Sequence, residues 1–254
     1  MMVVAAVNYL LASPLCFALS FVSGGLSLSW STLFWGGVQG IAFIGSYYLI
    51  CASMALRGMA IATAILRLSV VIPVVTSILY WGEIPSGYQV WGLLACLVAL
   101  PLICSRGASG HVARLGRRGI LVLGALFLGI GVAGIASKAF VESDVPDART
   151  TFMGVLYGVA ALGALASFGF PAWRKTWVGM WDGIKMGLVN VASILAYLLA
   201  LEQLDGVVVF PVQAVGGLMV NTLFAAVVWN ERFVRLTLVG MGVAAVGLVL
   251  VNVK

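Results

Sequence analysis

The chain has 254 residues, 63% of them hydrophobic and 9% charged, with a formal net charge of +6 and a mean hydropathy of +1.14. A soluble domain carries roughly a quarter charged residues, so water is excluded as the main solvent, and the basic balance is topology information and not a nucleic-acid footprint. The four cysteines, Cys16, Cys51, Cys96 and Cys104, lie in or beside apolar runs with no C-x-x-C pair, which leaves a metal site or disulfide framework unsupported.

Nine apolar segments follow in chain order, at about 3–22, 32–55, 58–80, 89–105, 119–138, 151–171, 183–203, 207–229 and 235–253. Each approaches the ~20 residues that a helix needs to cross ~30 Å of hydrocarbon. The expected class is an all-α polytopic membrane protein with nine transmembrane helices. The first segment lacks the basic start of a signal peptide and reads as a spanning helix. The second carries Trp35, Gln39, Tyr47 and Tyr48, side chains that can stack on a substrate and orient it. The third carries Arg67, about ten residues from either end, where snorkelling is hard and a charge is tolerated only if it faces the bundle interior. There it either holds an anionic or carboxylate-bearing substrate or is pinned to a helix carbonyl or a Glu. Pro73, in the same segment, is a kink candidate.

The longest polar break, "SRGASGHVARLGRRG", contains a basic loop at 106–118 that separates a first half, 1–105 with four helices, from a second, 119–254 with five. "FVESDVPDART" at 140–150 is acidic and turn-like. Neither holds a separate soluble domain, and His111, alone among glycines and arginines, has no ligand constellation. The 31 glycines are scattered through the helices, and runs such as "GALFLGIGVAG" and "GMGVAAVG" read as packing faces. In the second half, Asn190, Gln213 and Asn221 are polar groups inside apolar segments, suited to lining a cavity or to interhelical hydrogen bonds. Glu202 is the acidic residue nearest a span interior and the candidate for proton coupling. Pro211 is a second kink candidate, close to its segment's start.

Residues 148 apart repeat one another. Gly58, Trp81, Glu83 and Gly92 recur as Gly206, Trp229, Glu231 and Gly240, with identical spacings of 23, 2 and 9. Five predicted helices separate Glu83 from Glu231, an odd number, so the two loops face opposite sides. Two inverted-topology repeats are the construction of a secondary transporter. The first repeat is one helix short: that helix either precedes residue 1, or the chain is a true nine-helix form. In its turn, Glu83 is expected to favour the positive N-terminal end of the helix that follows.

These features resemble the drug/metabolite transporter superfamily in its ten-helix form with two EamA-type domains. The stretches that carry the resemblance are "RGMAIATAILRLSVVIPVVTSILYWGEIPSGYQVWGLLACLVALPLI" and "LDGVVVFPVQAVGGLMVNTLFAAVVWNERFVRLTLVGMGVAAVGLVL". Gly82-Glu83 fits the family's turn, and Asn230-Glu231 fits it with the glycine replaced. Pro73 resembles the proline of the family's fourth helix, and "VNYLLASPL" resembles its second helix, as if the first were absent. The resemblance implies a secondary transporter that moves a small metabolite by alternating access. The alternatives are a lipid-linked flippase or a non-transporting partner subunit. A membrane-embedded enzyme is less favoured, since H-E-x-x-H, G-x-S-x-G and paired intramembrane aspartates are missing, and no phosphate-binding G-x-x-x-x-G-K-[ST] suggests a nucleotide-driven pump. The expected partners are the lipid bilayer and a small-molecule metabolite, with no cofactor and no nucleic acid. The chain is expected in a bacterial inner (plasma) membrane, as monomer or homodimer.

The side of the N-terminus holds Arg57, Arg106, Arg114, Arg117, Arg118, Arg174, Lys175, Arg232 and Arg235, against Lys138, Arg149 and Lys254 opposite. Nine against three makes the first side cytoplasmic; with a first helix upstream, the N-terminus would lie outside, opposite to the family's usual arrangement. A single cysteine introduced into 106–118 should resist membrane-impermeant labelling from outside intact cells; efficient labelling would reverse the orientation.

Overall fold

The computed structural model describes residues 2–57, 59–104, 117–143, 145, 148–166, 179–229 and 235–253. The helices are α1 (Met2–Val22), α2 (Trp30–Arg57), α3 (Met59–Leu68), α4 (Val71–Tyr80), α5 (Gly87–Cys104), α6 (Arg117–Val141), α7 (Arg149–Ala166), α8 (Met180–Gln203), α9 (Gly206–Pro211), α10 (Gly217–Trp229) and α11 (Arg235–Asn252), with a π-helical segment, Val212–Gly216, between α9 and α10. Among the described residues nine spans are long and apolar enough to cross a membrane. Two of them, predicted as single helices, are single spans with a local irregularity: a turn at Ser69–Val70 between α3 and α4, and the π segment within the continuous α9–α10 span. Large apolar side chains such as Leu79, Leu162, Val189 and Val227 stand exposed. This is the surface expected where lipid is the solvent.

A shift of 148 residues carries α5 onto α11 end for end, and carries α1, α2 and the α3–α4 span onto α7, α8 and α9–α10 to within a few residues. The chain forms two compact units: Met1–Gly45 with Ile135–Gln203, and Ser46–Gly134 with Leu204–Lys254. Each draws helices from both predicted halves, and α2 and α6 contribute to both.

In the first unit the close contacts are made by glycines four apart. A Cβ on Gly36 of α2 would meet Val155 and the Phe152 carbonyl of α7, at 3.0 and 3.3 Å, and one on Gly40 would meet the Leu156 carbonyl at 2.6 Å. On α8, a Cβ on Gly183 would meet Val7 and the Val4 carbonyl of α1, at 2.7 and 3.0 Å, and one on Gly187 would meet Leu11 and the Asn8 carbonyl. Phe152, Val155 and Leu156 are Val4, Val7 and Asn8 shifted by 148. The glycines themselves are 147 apart, one residue out of that register, so the two G-x-x-x-G faces pack on corresponding stretches of α7 and α1 without being exact copies of one contact. Phe140 stacks on Phe152 with centroids 3.9 Å apart, and Tyr9 on Tyr157 at 6.3 Å. Lys138, counted from sequence among the loop residues, is instead buried within α6 and pairs with Glu142 at 2.7 Å.

In the second unit α5 and α11 run antiparallel. A Cβ on Gly92 would lie 2.6 Å from the Val251 nitrogen, and one on Gly240 would lie 2.9 Å from the Ile103 nitrogen. These contacts exchange under the 148-residue shift. The predicted packing run on α6 divides by position: Gly129, Gly131 and Gly134 abut Ser46, Ile72 and Pro73, whereas Gly124 faces open space.

Glu83 is not turned towards α5, the helix that follows it. Its carboxylate oxygens accept the backbone N–H groups of Gly206 and Val207, at 3.0 and 2.9 Å, and so cap α9 from across the unit. Asp205, at the N-cap position of α9, makes no side-chain cap bond. The N-terminus of α5 has its own capping box instead: Ser86 N–H donates to Gln89 Oε1 at 2.9 Å, and Gln89 N–H to Ser86 Oγ at 3.4 Å. Gly82 turns the chain at φ +68°, a conformation that side-chain-bearing residues rarely adopt. Trp81 meets Tyr80 edge to face at 5.2 Å. Gly58 and Glu231 lie outside the described residues, as does the side chain of Trp229.

Two outcomes check these contacts. Gly92→Ala should cost about 1–3 kcal/mol in detergent unfolding, because the added methyl meets backbone and the helices must separate. Gly124→Ala should be neutral or stabilising by up to about 1 kcal/mol; equal effects of the two would contradict the close approach. Glu83→Ala should cost on the order of 1–2 kcal/mol, while Glu83→Gln, which keeps one acceptor, should retain part of it. Thermal unfolding of the purified variants measures both.

Candidate functional site

The two helix irregularities have identifiable chemistry. Pro73 has no N–H to give to the Ser69 carbonyl four residues back, so the helical ladder is interrupted there. Around the gap, Ser69 Oγ bonds the Leu66 carbonyl at 2.6 Å, Val70 N–H reaches the Arg67 carbonyl at 3.3 Å, and Ile72 N–H reaches the Ser69 carbonyl at 3.1 Å. Pro211 withholds its donor from the Val207 carbonyl in the same way. The chain then widens into the π segment, with Val212 N–H directed at the Val208 and Val209 carbonyls. Shifted by 148 residues, the π segment overlays residues 64–68, directly before the first irregularity. Insertions of this kind recur at functional positions.

Arg67 lies in the last turn of α3, two residues before that irregularity. Its Nε is buried and has no hydrogen-bond partner. Among the described residues no carboxylate stands within ion-pair distance of it. Its guanidinium rests on the π segment's exit: a Cβ on Gly217 would lie 3.4 Å from Nη1 and 3.9 Å from Nη2. The Cys104 thiol, at the end of α5, is its titratable neighbour. The 148-residue counterpart of Arg67 is Val215, fully buried, so the charge has no copy.

Beside these irregularities is a cavity of about 100 Å³ lined by Val70, Val71, Val74 and Val75, by Leu93, Cys96, Leu97 and Leu100 of α5, and by Pro211 and Val215. Asn221 is exposed one helical turn beyond Gly217, and Gln213 is exposed within the π segment. Tyr47 and Tyr48 stand edge to face at 6.5 Å. Pro73 packs on α6, where a Cβ on Gly134 would lie 2.9 Å from its ring. The second unit thus assembles Arg67, Gly217, Cys104 and the cavity, and it also contains Tyr47, Tyr48, Gln213, Asn221, Pro73 and Pro211.

The remaining predicted positions belong to the first unit. Trp35 meets Phe34 edge-on at 5.0 Å. Asn190 Nδ2 donates to Asn8 Oδ1 at 3.4 Å, an interhelical polar contact. Glu202 pairs with Arg149 at 3.1 Å, both side chains one-third exposed. Gln39 is buried, and its Oε1 has no partner. It belongs to a stripe that the residue-by-residue reading missed: Thr32, Gln39, Ser46 and Ser53 recur every seven residues along α2, all buried, each with a side-chain oxygen lacking a hydrogen-bond partner. The seven-residue spacing was the available signal, since it keeps four side chains on one helix face. Gly217 also went unremarked; nothing in its local sequence indicates that a guanidinium rests on it.

No family model matches the chain. It is 22% identical over 204 residues to an uncharacterized protein of Haemophilus influenzae, covering 80% of this chain and 69% of that one. A solved structure titled "Crystal structure of protein" superposes with a TM-score of 0.75 at 18% identity, over 99% of this chain and 88% of that one. At that identity the likeness establishes the fold: an all-helical, multi-pass membrane protein.

Proposed function

We propose that the protein is a secondary transporter, of the EamA type within the drug/metabolite transporter superfamily, that moves a small metabolite across a bacterial inner membrane by alternating access. The observation that carries the reading is the pair of irregular helices, α3–α4 with a turn at Ser69–Val70 and α9–α10 with a π segment, which fall within about one turn of the same 148-residue register. Discontinuous helices in corresponding positions of two repeats are where transporters build substrate sites near the bilayer midplane. The corresponding contacts of α2 with α7 and α8 with α1, and the exchanging contacts of α5 with α11, support two inverted repeats of four and five helices. A scaffold built in this way has two arrangements of similar energy, open to opposite sides. Arg67, beside the first irregularity and without a protein counter-charge among the described residues, is the proposed substrate anchor, and Asn221 and Gln213 are the polar groups nearest to it along the chain that carries the second irregularity. Glu202, already paired with Arg149, is a weaker candidate for coupling than the sequence alone suggested.

The test is flux in proteoliposomes. Purified protein should catalyse uptake or counterflow of at least one compound from a metabolite library. Arg67→Ala should lower that flux at least about tenfold, the loss expected when a charge-assisted contact worth roughly 1.5–3 kcal/mol disappears, with membrane expression and unfolding midpoint close to wild type. Unchanged kinetics in the variant would remove Arg67 from the pathway, and no flux of any compound would remove the transport reading.

A further inference from the structure

Arg67, Cys104 and Gly217 do not line the cavity themselves, but each lies within about one turn of a residue that does. Three walls place Arg67 at the same end of the cavity. Along the first irregular span, Val70 and Val71 line the cavity and Arg67 precedes them by three and four residues. Along α5, Leu100 lines it and Cys104, the guanidinium's neighbour, follows one turn later. Along the π segment, Val215 lines it and Gly217, on which the guanidinium rests, follows two residues later. Val75, Leu93 and Pro211 mark the other end, and Val75 stands 44% exposed there.

The chemistry of this arrangement is amphiphilic. A guanidinium offers five N–H donors in a planar fork that matches a carboxylate. Here Nε is buried with nothing to donate to, and leaving such a donor unmade is costly. The cavity walls are valines, leucines, Pro211 and Cys96, so a polar tail placed among them would lose its hydration without compensation. A cavity of about 150 Å³ with such walls takes up benzene; about 100 Å³ suits roughly four or five carbons. Along α5 it runs from Leu93 to Leu100, about 10 Å of helix, shorter than a membrane lipid's acyl chain. No carboxylate lines the cavity, and among the described residues none pairs with Arg67, so no acidic side chain of the lining receives the ammonium of a zwitterion.

We propose that Arg67 and this cavity bind a short-chain aliphatic monocarboxylate, its carboxylate on the guanidinium and its alkyl chain among Val70, Val74, Leu97 and Val215. The site rests on the transport reading only for its role as a substrate site; binding is measurable without flux.

Isothermal titration of the purified protein tests it, with isovalerate as the probe and isoamyl alcohol, leucine and octanoate as comparators. Isovalerate should bind, and the isosteric neutral alcohol, leucine and octanoate should each bind at least about tenfold more weakly. Arg67→Gln should lose isovalerate binding, and Arg67→Lys should recover part of it. Val74→Phe, which fills the cavity, should weaken isovalerate but not acetate. The wild-type comparisons need no variant, so a misfolded Arg67→Gln leaves the test intact. Equal binding of isovalerate and isoamyl alcohol, or of leucine, overturns the proposal. So does an Arg67-dependent thermal shift with phosphatidylglycerol vesicles but none with isovalerate, which would assign the site to anionic lipid. Flux of another metabolite that isovalerate fails to compete overturns the site and leaves transport standing, whereas isovalerate binding without flux of any compound leaves the site standing and removes transport.

Discussion

In hydrocarbon every backbone polar group must be satisfied by the protein itself, and the rest of this structure follows from where that requirement is strained. Most of the chain meets it with uninterrupted helices. Proline has no donor to give: Pro14 and Pro101 sit inside α1 and α5 without interrupting them, whereas a turn precedes Pro73 and a π segment follows Pro211. The protein responds differently at the two places. At the first, Ser69 turns its hydroxyl back to the Leu66 carbonyl and the neighbouring amides take short bonds around the gap. At the second, the chain widens into a π segment, and the short helix before it is held at its start by the Glu83 carboxylate. A six-residue helix has little stability of its own; two charge-assisted bonds to its first amides and burial of all six residues hold it in place.

Glycine supplies the second constraint. Lipid tails are as apolar as leucine, so helices associate through packing and not through escape from water. Gly36, Gly40, Gly183, Gly187, Gly92 and Gly240 each stand where a methyl group would strike a neighbouring side chain or backbone. Gly92 and Gly240 exchange exactly under the 148-residue shift, and Gly36/Gly183 and Gly40/Gly187 lie one residue out of it, so similar packing is used in both halves. Each compact unit therefore mixes helices from both halves of the sequence: if a helix of one half packs on its counterpart, or on its counterpart's neighbour, neither half closes its own contacts.

The helices were legible from apolar block length, and the two irregular spans from their prolines, since both signals are local. Four residue pairs suggested the 148-residue shift, and of these Gly92 and Gly240 make matching contacts among the described residues. What each glycine packs against was not, because G-x-x-x-G says that a helix can be approached closely and not by which helix. Glu83 shows the same limit. Its position before α5 suggested service to that helix, but Ser86 and Gln89 already cap α5, and the carboxylate is taken by a helix more than a hundred residues away. Lys138 looked like a loop residue because its neighbours give no sign that α6 continues to Val141 and buries it beside Glu142. Arg67 was legible as a problem, a charge deep in an apolar run; that no described residue supplies a counter-charge beside it is visible only in three dimensions.

The scaffold's paired contacts and the unpaired charge have different consequences for the proposed mechanism. In the proposed transport cycle, contacts such as those of α5 with α11, which exchange under the 148-residue shift, would favour neither of the two arrangements. A charge present once breaks that equivalence locally: the site it forms belongs to one repeat's irregular span and must serve both arrangements. With Val215 at the corresponding position, the second repeat supplies apolar wall where the first supplies the cation. A ligand held in the proposed site touches both irregular spans at once, its charged end on the exit of the π segment and its apolar end beside Pro211 and Val75. Any shift of one irregular span past the other then changes the site itself, and the ligand's differential affinity for the two arrangements is the free energy available to bias them.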